Sequence, residues 1–236
     1  MTATLRLLSA GAAQGVASAL APRFQADTGA EVRATFAPVG VVREKLLANE
    51  PCDVVVSTPS MLEEFARTGR IVGATIASLG RVHTGVAVRS GERPPRIDDA
   101  QGLRAALAAA PRLHVPDPER ATAGIHFVRV LHELGLYEAL RSRIAPHASG
   151  AAAMAALAAE PAPGALGCTQ ATEILFATGV SLVGALPAPF DLAAVYAAAA
   201  SANSRAPDLA RRFVAMLTDP QAVALRGKAG FEAGSL

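Results

Sequence analysis

The sequence predicts an α/β fold, on three observations. Short apolar runs alternate with longer stretches whose apolar residues recur every three or four positions. One run, Asp53-Val54-Val55-Val56-Ser57, is nearly continuous, as a strand in a sheet covered on both faces requires. Glycine and proline punctuate the joints between the two kinds of segment. With 236 residues, 51% hydrophobic and 18% charged, the chain can bury a substantial core, as one large α/β domain or as two smaller lobes.

Taken in order, Leu5–Leu8 is the first strand and ends at Ser9-Ala10-Gly11. The next stretch places Val16, Leu20 and Phe24 on one helical face, with Gly29 as its stop and Pro22 expected to bend or split it. Val32, Ala34 and Phe36 alternate as a half-buried strand that closes at Ala37-Pro38-Val39-Gly40, and a helix from about Val41 to Ala48 follows. After the valine strand, Thr58-Pro59-Ser60 opens a helix with proline in its first turn. A strand over Val82–Arg89 marks the first crossing between lobes. Asp98 and Asp99 are placed to cap a helix carrying Leu103 and Leu107.

Arg112–Val115 is a strand ending at Pro116-Asp117-Pro118. It leads to a helix from Thr122-Ala123-Gly124 that buries Phe127, Leu131 and Leu134 and stops at Gly135. An alanine-rich helix around 150–159 precedes a strand, Ala165–Cys168, that ends at Thr169-Gln170. Val180–Leu186 is a strand running into Pro187 and Pro189, the second crossing. Tyr196 lies on a returning strand, and helices at about 207–217 and 219–228 finish the chain.

Composition excludes several functions. A net charge of +2 with singly scattered arginines lacks the concentrated basic stripe that nucleic acid needs. Cys52 and Cys168 are far apart and form no CxxC pair. His83, His114, His126, His132 and His147 show no metal-ligand spacing, so no metal and no cofactor is expected. No apolar run is long enough to span a membrane. Met1-Thr2-Ala3-Thr4 runs directly into the first strand without the pattern of a secretory leader. The expectation is a cytoplasmic protein as the chain stands, or a periplasmic one from which a leader has been removed.

The chemistry is expected at the strand ends. Ser9-Ala10-Gly11, Val39-Gly40, Thr58-Pro59 and Thr122-Ala123-Gly124 are successive strand-to-helix junctions built from small or hydroxyl residues. In open α/β sheets ligands bind outside the carboxyl ends of strands. Helix starts there offer free N–H groups and partial positive charge, an anion site that needs no lysine. Hydroxyls of Ser9, Thr58, Thr122 and Thr169 can add donors. At any single junction, helix capping is the plainer explanation of the hydroxyl residue, and only the four in series point to a cleft.

Several stretches together resemble the periplasmic molybdate-binding proteins of ABC importers and, more widely, the class-II solute-binding proteins. They are Leu8-Ser9-Ala10-Gly11-Ala12, Phe24-Gln25-Ala26-Asp27-Thr28-Gly29 and Pro51-Cys52-Asp53-Val54-Val55-Val56-Ser57, then Pro116–Gly124, Leu134-Gly135-Leu136 and Pro220-Gln221-Ala222. Each is weak alone; the collinear set covers nearly the whole chain. The resemblance implies a two-lobed Venus-flytrap fold, each lobe a mixed, mainly parallel sheet flanked by helices. Lobe I takes 1–82 and 189–236, lobe II takes 83–188, and the ligand lies in the cleft between them. By position, Ser9 matches the family's first serine and Ala123-Gly124 its helix start. The family's serine-rich turn is replaced by Ala37-Pro38-Val39-Gly40-Val41, and its tyrosine falls at about Cys168 or Thr169.

Each buried charged hydrogen bond lost costs roughly 1.5–3 kcal/mol. Losing two weakens an oxyanion by about two to four powers of ten. The expected ligand is therefore a small carboxylate or other organic anion, against an apolar wall of Val39 and Val41 and polar groups from Gln170 and Glu173. An enzyme on the same fold is the alternative, transferring a proton on a small carboxylate through Glu173, His126, Cys168 or Asp117. Asp117 also suits a structural turn, His126 a helix face and Cys168 a core thiol. A ligand sensor is a further alternative. Expected partners are the small anion and, if the protein is exported, an importer permease; the protein itself is expected to be a monomer.

Overall fold

The computed structural model describes residues 3–233. In chain order the elements are β1 (Thr4–Ala10), a 3-10 turn (Gly11–Ala13), α1 (Gln14–Thr28), β2 (Glu31–Ala37), α2 (Val39–Leu47), β3 (Val54–Ser57), α3 (Pro59–Arg67) and β4 (Ala77–Arg89). There follow α4 (Ala100–Ala109), β5 (Leu113–Pro116), α5 (Thr122–Glu133), α6 (Tyr137–Leu140), β6 (Ile144–His147), α7 (Gly150–Ala159), β7 (Leu166–Gln170) and α8 (Ala171–Phe176). The chain closes with β8 (Val180–Ala185), β9 (Ala193–Ala200), α9 (Pro207–Thr218) and α10 (Val223–Lys228).

These elements form two compact units, Met1–Val82 with Ala194–Leu236, and His83–Ala193. The second boundary falls after Ala193, later in the chain than 188. Leu186 and Phe190 are buried in the second unit's core, and Thr84 N–H bonds the Leu192 carbonyl at 3.0 Å.

In the first unit β1 lies between β2 and β3, parallel to both, and β9 runs antiparallel beside β3. α1 buries Val16, Leu20 and Phe24, and the Phe24 ring meets Phe213 of α9 edge-on at 4.9 Å. The other face packs Leu8, Val55, Ala197 and Ala199 against Val42, Leu46, Leu62 and Phe65. Asp53 is a buried clasp at the start of β3. Its carboxylate accepts from Arg6 N at 2.7 Å, Ser204 Oγ at 2.7 Å and Arg205 N at 3.1 Å. A carboxylate with three donors tolerates burial that an unpaired one does not.

In the second unit the strands run in the order β6-β5-β7-β4-β8. β5 is parallel to β6 and β7, while β4 is antiparallel to β7 and β8. One core joins Leu103, Leu107, Phe127, Leu131 and Cys168; another joins Ala153, Met154, Leu157 and Ile174. α7 approaches β7 closely because β7 carries Gly167, where a Cβ would lie 2.5 Å from the Met154 methyl.

Some elements differ from expectation. α1 passes through Pro22 without splitting. Pro22 and Ser18 are both exposed, so the carbonyl that loses its amide partner stands on the solvated face. β2 leaves Ala34 exposed, since it is paired on one side and lies at the sheet edge. α2 begins at Val39, because Pro38 starts the helix as its N-cap, so Val39 and Gly40 belong to a first turn and not to a loop. The short α6 and β6 have no counterpart in the expected elements. They hold few residues, too few to display a period.

Candidate functional site

The carboxyl ends of the first unit's strands lead into helix starts that their own N-caps leave open. Ser9 ends β1 fully buried, and its hydroxyl donates to the Ala10 carbonyl at 2.9 Å. The chain then makes the 3-10 turn with Ala10 as its cap and Gly11 in its first position, and α1 follows with Ala13 as its cap; neither cap residue supplies a side-chain acceptor. Val39 and Gly40 open α2 behind Pro38, which likewise gives no side-chain cap. Thr58 is the N-cap of α3, yet its hydroxyl lies 3.4 Å from Ser60 Oγ and caps no amide. By contrast Asp99 accepts Gly102 N–H at 2.7 Å and Ser149 accepts Ala152 N–H at 3.2 Å, both ordinary capping bonds. Capping therefore does not account for Ser9 or Thr58.

In the second unit α5 begins after Ala121, again without a side-chain cap, so Thr122, Ala123 and Gly124 form an open first turn. Gly124 is required there: a Cβ would lie 2.4 Å from the Asp117 carbonyl and 2.5 Å from that of Pro116. Asp117 shapes the approach, its carboxylate accepting Glu119 N–H at 2.8 Å and Arg120 N–H at 3.1 Å. That is the Asp-Pro turn function. His126 is buried and its Nε2 donates to the Phe190 carbonyl at 2.7 Å. This bond fixes the ring and ties α5 to the segment before β9.

The densest polar group lies where β7 runs into α8. Thr169 and Gln170 end the strand buried, and Glu173 sits in the first turn of α8, half-buried. Thr169 Oγ1 donates to Glu173 Oε2 at 2.5 Å, and the Gln170 backbone N–H is a second donor to that carboxylate. Burial nevertheless holds the Glu173 carboxyl above the usual carboxylate range, against the pull of these two bonds. Gly150, first residue of α7, faces the same carboxyl: a Cβ there would stand 2.0 Å from Glu173 Oε2 and 2.3 Å from Thr169 Oγ1. The hydroxyls of Thr84, opposite Gln170 in the β4–β7 pairing, and of Thr172 are buried with no hydrogen-bond partner. Unmatched buried hydroxyls cost free energy unless a ligand or water meets them.

The structure thus brings Thr169, Gln170 and Glu173 together. Strand alternation turns Cys168 to the opposite core, where burial pushes its thiol far up and suppresses the thiolate. Thr84, Thr172 and Gly150 were not anticipated. A threonine in a buried strand and a glycine in an alanine run carry no signal until the fold sets them against other groups. Among the described residues, no group of three or more His, Cys, Asp or Glu is arranged to hold a metal ion. No described helix is long and apolar enough to cross a membrane.

Two α/β units, the first interrupted by the second, with open helix starts at their strand ends, define the class of bilobal binding proteins. The family model for bacterial extracellular solute-binding proteins matches residues 5–232, and the chain belongs to that family. It is 26% identical over 227 residues to the aconitate isomerase of a Pseudomonas species, covering 93% of this chain and 84% of that protein. To the molybdate-binding protein ModA of Escherichia coli it is 25% identical over 170 residues, 71% of this chain and 65% of that one. The periplasmic molybdate-binding protein of Azotobacter vinelandii superposes with a TM-score of 0.79 at 23% identity, covering 98% of this chain and 100% of that one. The protein is a solute-binding protein with the fold of the periplasmic binding proteins.

Proposed function

We propose that the solute is a small organic anion carrying carboxylates, in preference to a bare metal oxyanion. The observation that carries this is Glu173 in hydrogen-bond contact with Thr169 at the end of β7. An ionised carboxylate there repels a tetrahedral dianion, and a protonated one offers a single directed donor suited to a carboxylate oxygen. The Ala37–Val41 segment adds apolar Val39 and no hydroxyl, which suits a ligand with a carbon skeleton. The relatives named as molybdate-binding and as an aconitate isomerase are consistent with an anion of one kind or the other.

A thermal-shift screen against molybdate, tungstate, sulfate, citrate, cis-aconitate, trans-aconitate and succinate tests the proposal. A carboxylate at about 100 times its dissociation constant adds about 2.7 kcal/mol of stability and raises the melting temperature plainly. A shift with molybdate or tungstate and none with the carboxylates refutes it.

A second reading has its own support. Glu173 is a carboxyl that burial holds above the usual carboxylate range, and the relative matched over 93% of this chain is named for an isomerisation. On that reading the protein moves a proton on its bound carboxylate. Proton NMR of cis-aconitate incubated with the protein decides: appearance of the trans isomer above the protein-free control supports catalysis, and its absence leaves binding alone. As a binder, the protein would pass its solute to an importer permease.

A further inference from the structure

The second unit sets the Glu173 carboxyl against α7, β7 and β8, described elements that carry no lysine or arginine. α8 packs against β7, α7 and β8. α7 reads GAAAMAALAA and β8 reads VSLVGA, with no titratable side chain in either. β7 reads LGCTQ, and its one titratable group, Cys168, faces the opposite core. α8 itself holds no charge besides Glu173. The nearest acid beyond these elements in sequence is Glu160, after α7. It is engaged with Ala162 N–H at 3.2 Å, His114 at 3.2 Å and Arg112 at 3.5 Å. The donors given for Glu173 among the described residues, Thr169 and the Gln170 backbone, are both neutral.

We infer that the protein takes up its organic anion together with one proton from solvent, and that the proton resides on Glu173. The inference rests on the organic-anion proposal above. An arriving carboxylate removes water from Glu173 and adds a second negative charge, and no cation from α7, β7 or β8 balances it. Protonation resolves both costs. The proton binds one Glu173 oxygen while Thr169 continues to donate to the other, and the new O–H donates to the ligand carboxylate. At that contact one negative charge then stands where two would repel. Burial already biases this carboxyl toward its protonated form.

Proton linkage makes affinity fall as pH rises. Above the carboxyl's free-state midpoint, the dissociation constant should increase about tenfold per pH unit, since one proton enters with each anion. The probe is trans-aconitate, titrated calorimetrically between about pH 6.5 and 8.5, where its own carboxyls are ionised. Buffers of differing ionisation enthalpy report the proton count.

The expected result for the natural chain is about one proton taken up per trans-aconitate bound. Glu173→Gln, which keeps a donor at that position, should bind with a pH-independent constant and no proton uptake. Binding of trans-aconitate without proton uptake, or equal uptake by Glu173→Gln, overturns the inference and leaves the organic-anion proposal standing. Binding of molybdate and of no carboxylate overturns the proposal beneath it. The proton count on the natural chain decides the matter even if the variant does not fold.

Discussion

Gly150 and Glu173 are in such close apposition that the smallest side chain at position 150 would lie 2.0 Å from the carboxylate oxygen. The absence of a Cβ at the start of α7 is what lets the carboxyl settle against that helix. Gly124, at the start of α5, is in a different position: its missing Cβ faces the Asp117 and Pro116 carbonyls, which are backbone. A side-chain end can swing away, whereas a main-chain carbonyl moves only with the turn that carries it. Gly124→Ala should therefore destabilise by about 1–3 kcal/mol despite alanine's better helix propensity. Gly150→Ala meets side chains only, the Glu173 carboxyl and the Thr169 hydroxyl 2.3 Å away, and should cost about 1 kcal/mol while displacing both and weakening carboxylate binding. Urea denaturation of both variants checks the order of the two costs.

Glu173 itself makes a prediction whose sign is set by its direction of shift. Its carboxyl is raised above 4.5 in the folded chain. The folded state therefore holds the proton more tightly than the unfolded state does. The ionised side chain weakens the fold at neutral pH, and stability rises as pH falls through the folded midpoint toward about 4.5. Glu173→Gln should unfold at higher urea concentration than the natural chain at pH 7.5, and the gap should close near pH 4.5. A variant that is less stable than the natural chain at pH 7.5 contradicts this account.

Much of the architecture was legible in the chain for a simple physical reason. Val54–Val56 and Val16-Leu20-Phe24 display periods of their own, and a period is a local property. The open helix starts at Thr122-Ala123-Gly124 and Ser9-Ala10-Gly11 were legible because small residues cluster visibly beside strand ends. What stayed hidden depends on distance across the fold. Nothing near Thr84 in sequence reveals that its hydroxyl lacks a partner, or that it sits opposite Gln170. Glu173 could equally have been a solvated helix residue. Only the approach of α7, permitted by Gly150 and Gly167, buries it.

Thr84 is fully buried in β4, its hydroxyl has no partner, and its backbone is already engaged with Leu186 and Leu192. Valine has nearly the same shape and no hydroxyl to leave unmatched. Thr84→Val should therefore stabilise the ligand-free protein by about 1 kcal/mol, where a typical buried Thr→Val change destabilises. If the hydroxyl is kept for solute, the same variant should bind carboxylates less tightly. Chemical denaturation without ligand tests the first point, and calorimetry with trans-aconitate the second.

In β5, His114 is nearly inaccessible between two partners. Its Nε2 lies 3.2 Å from Glu160 Oε2, and its Nδ1 lies 3.1 Å from Nε2 of His147. The diagonal placement follows from register: His114 pairs with Ala145 in β6, and His147 is two residues farther along the same face. Glu160 can only accept, so His114 Nε2 carries the proton and Nδ1 must accept from His147. Both imidazoles are thereby neutral, and both are pushed below 6.5. Burial is the main cause in each, outweighing the Glu160 carboxylate at His114, while His114 adds repulsion at His147. The folded chain thus binds fewer protons than the unfolded chain once pH falls below about 6.5, and stability declines from there. A separate loss begins below about 4.5, where Glu160, held low first by its bond from Ala162 N–H, must be protonated in the unfolded chain. Histidine titration by NMR should show His114 and His147 with midpoints under 6.5, while the melting temperature falls between pH 7 and pH 5.5. Replacing His147 by Ala removes the donor to Nδ1 and the repulsion together. In that variant His114 should lose its bond to a second ring and be left with only Glu160 to hold its orientation. A His147→Ala protein whose acid-induced loss of stability matches that of the natural chain would contradict any contribution of His147 to that loss.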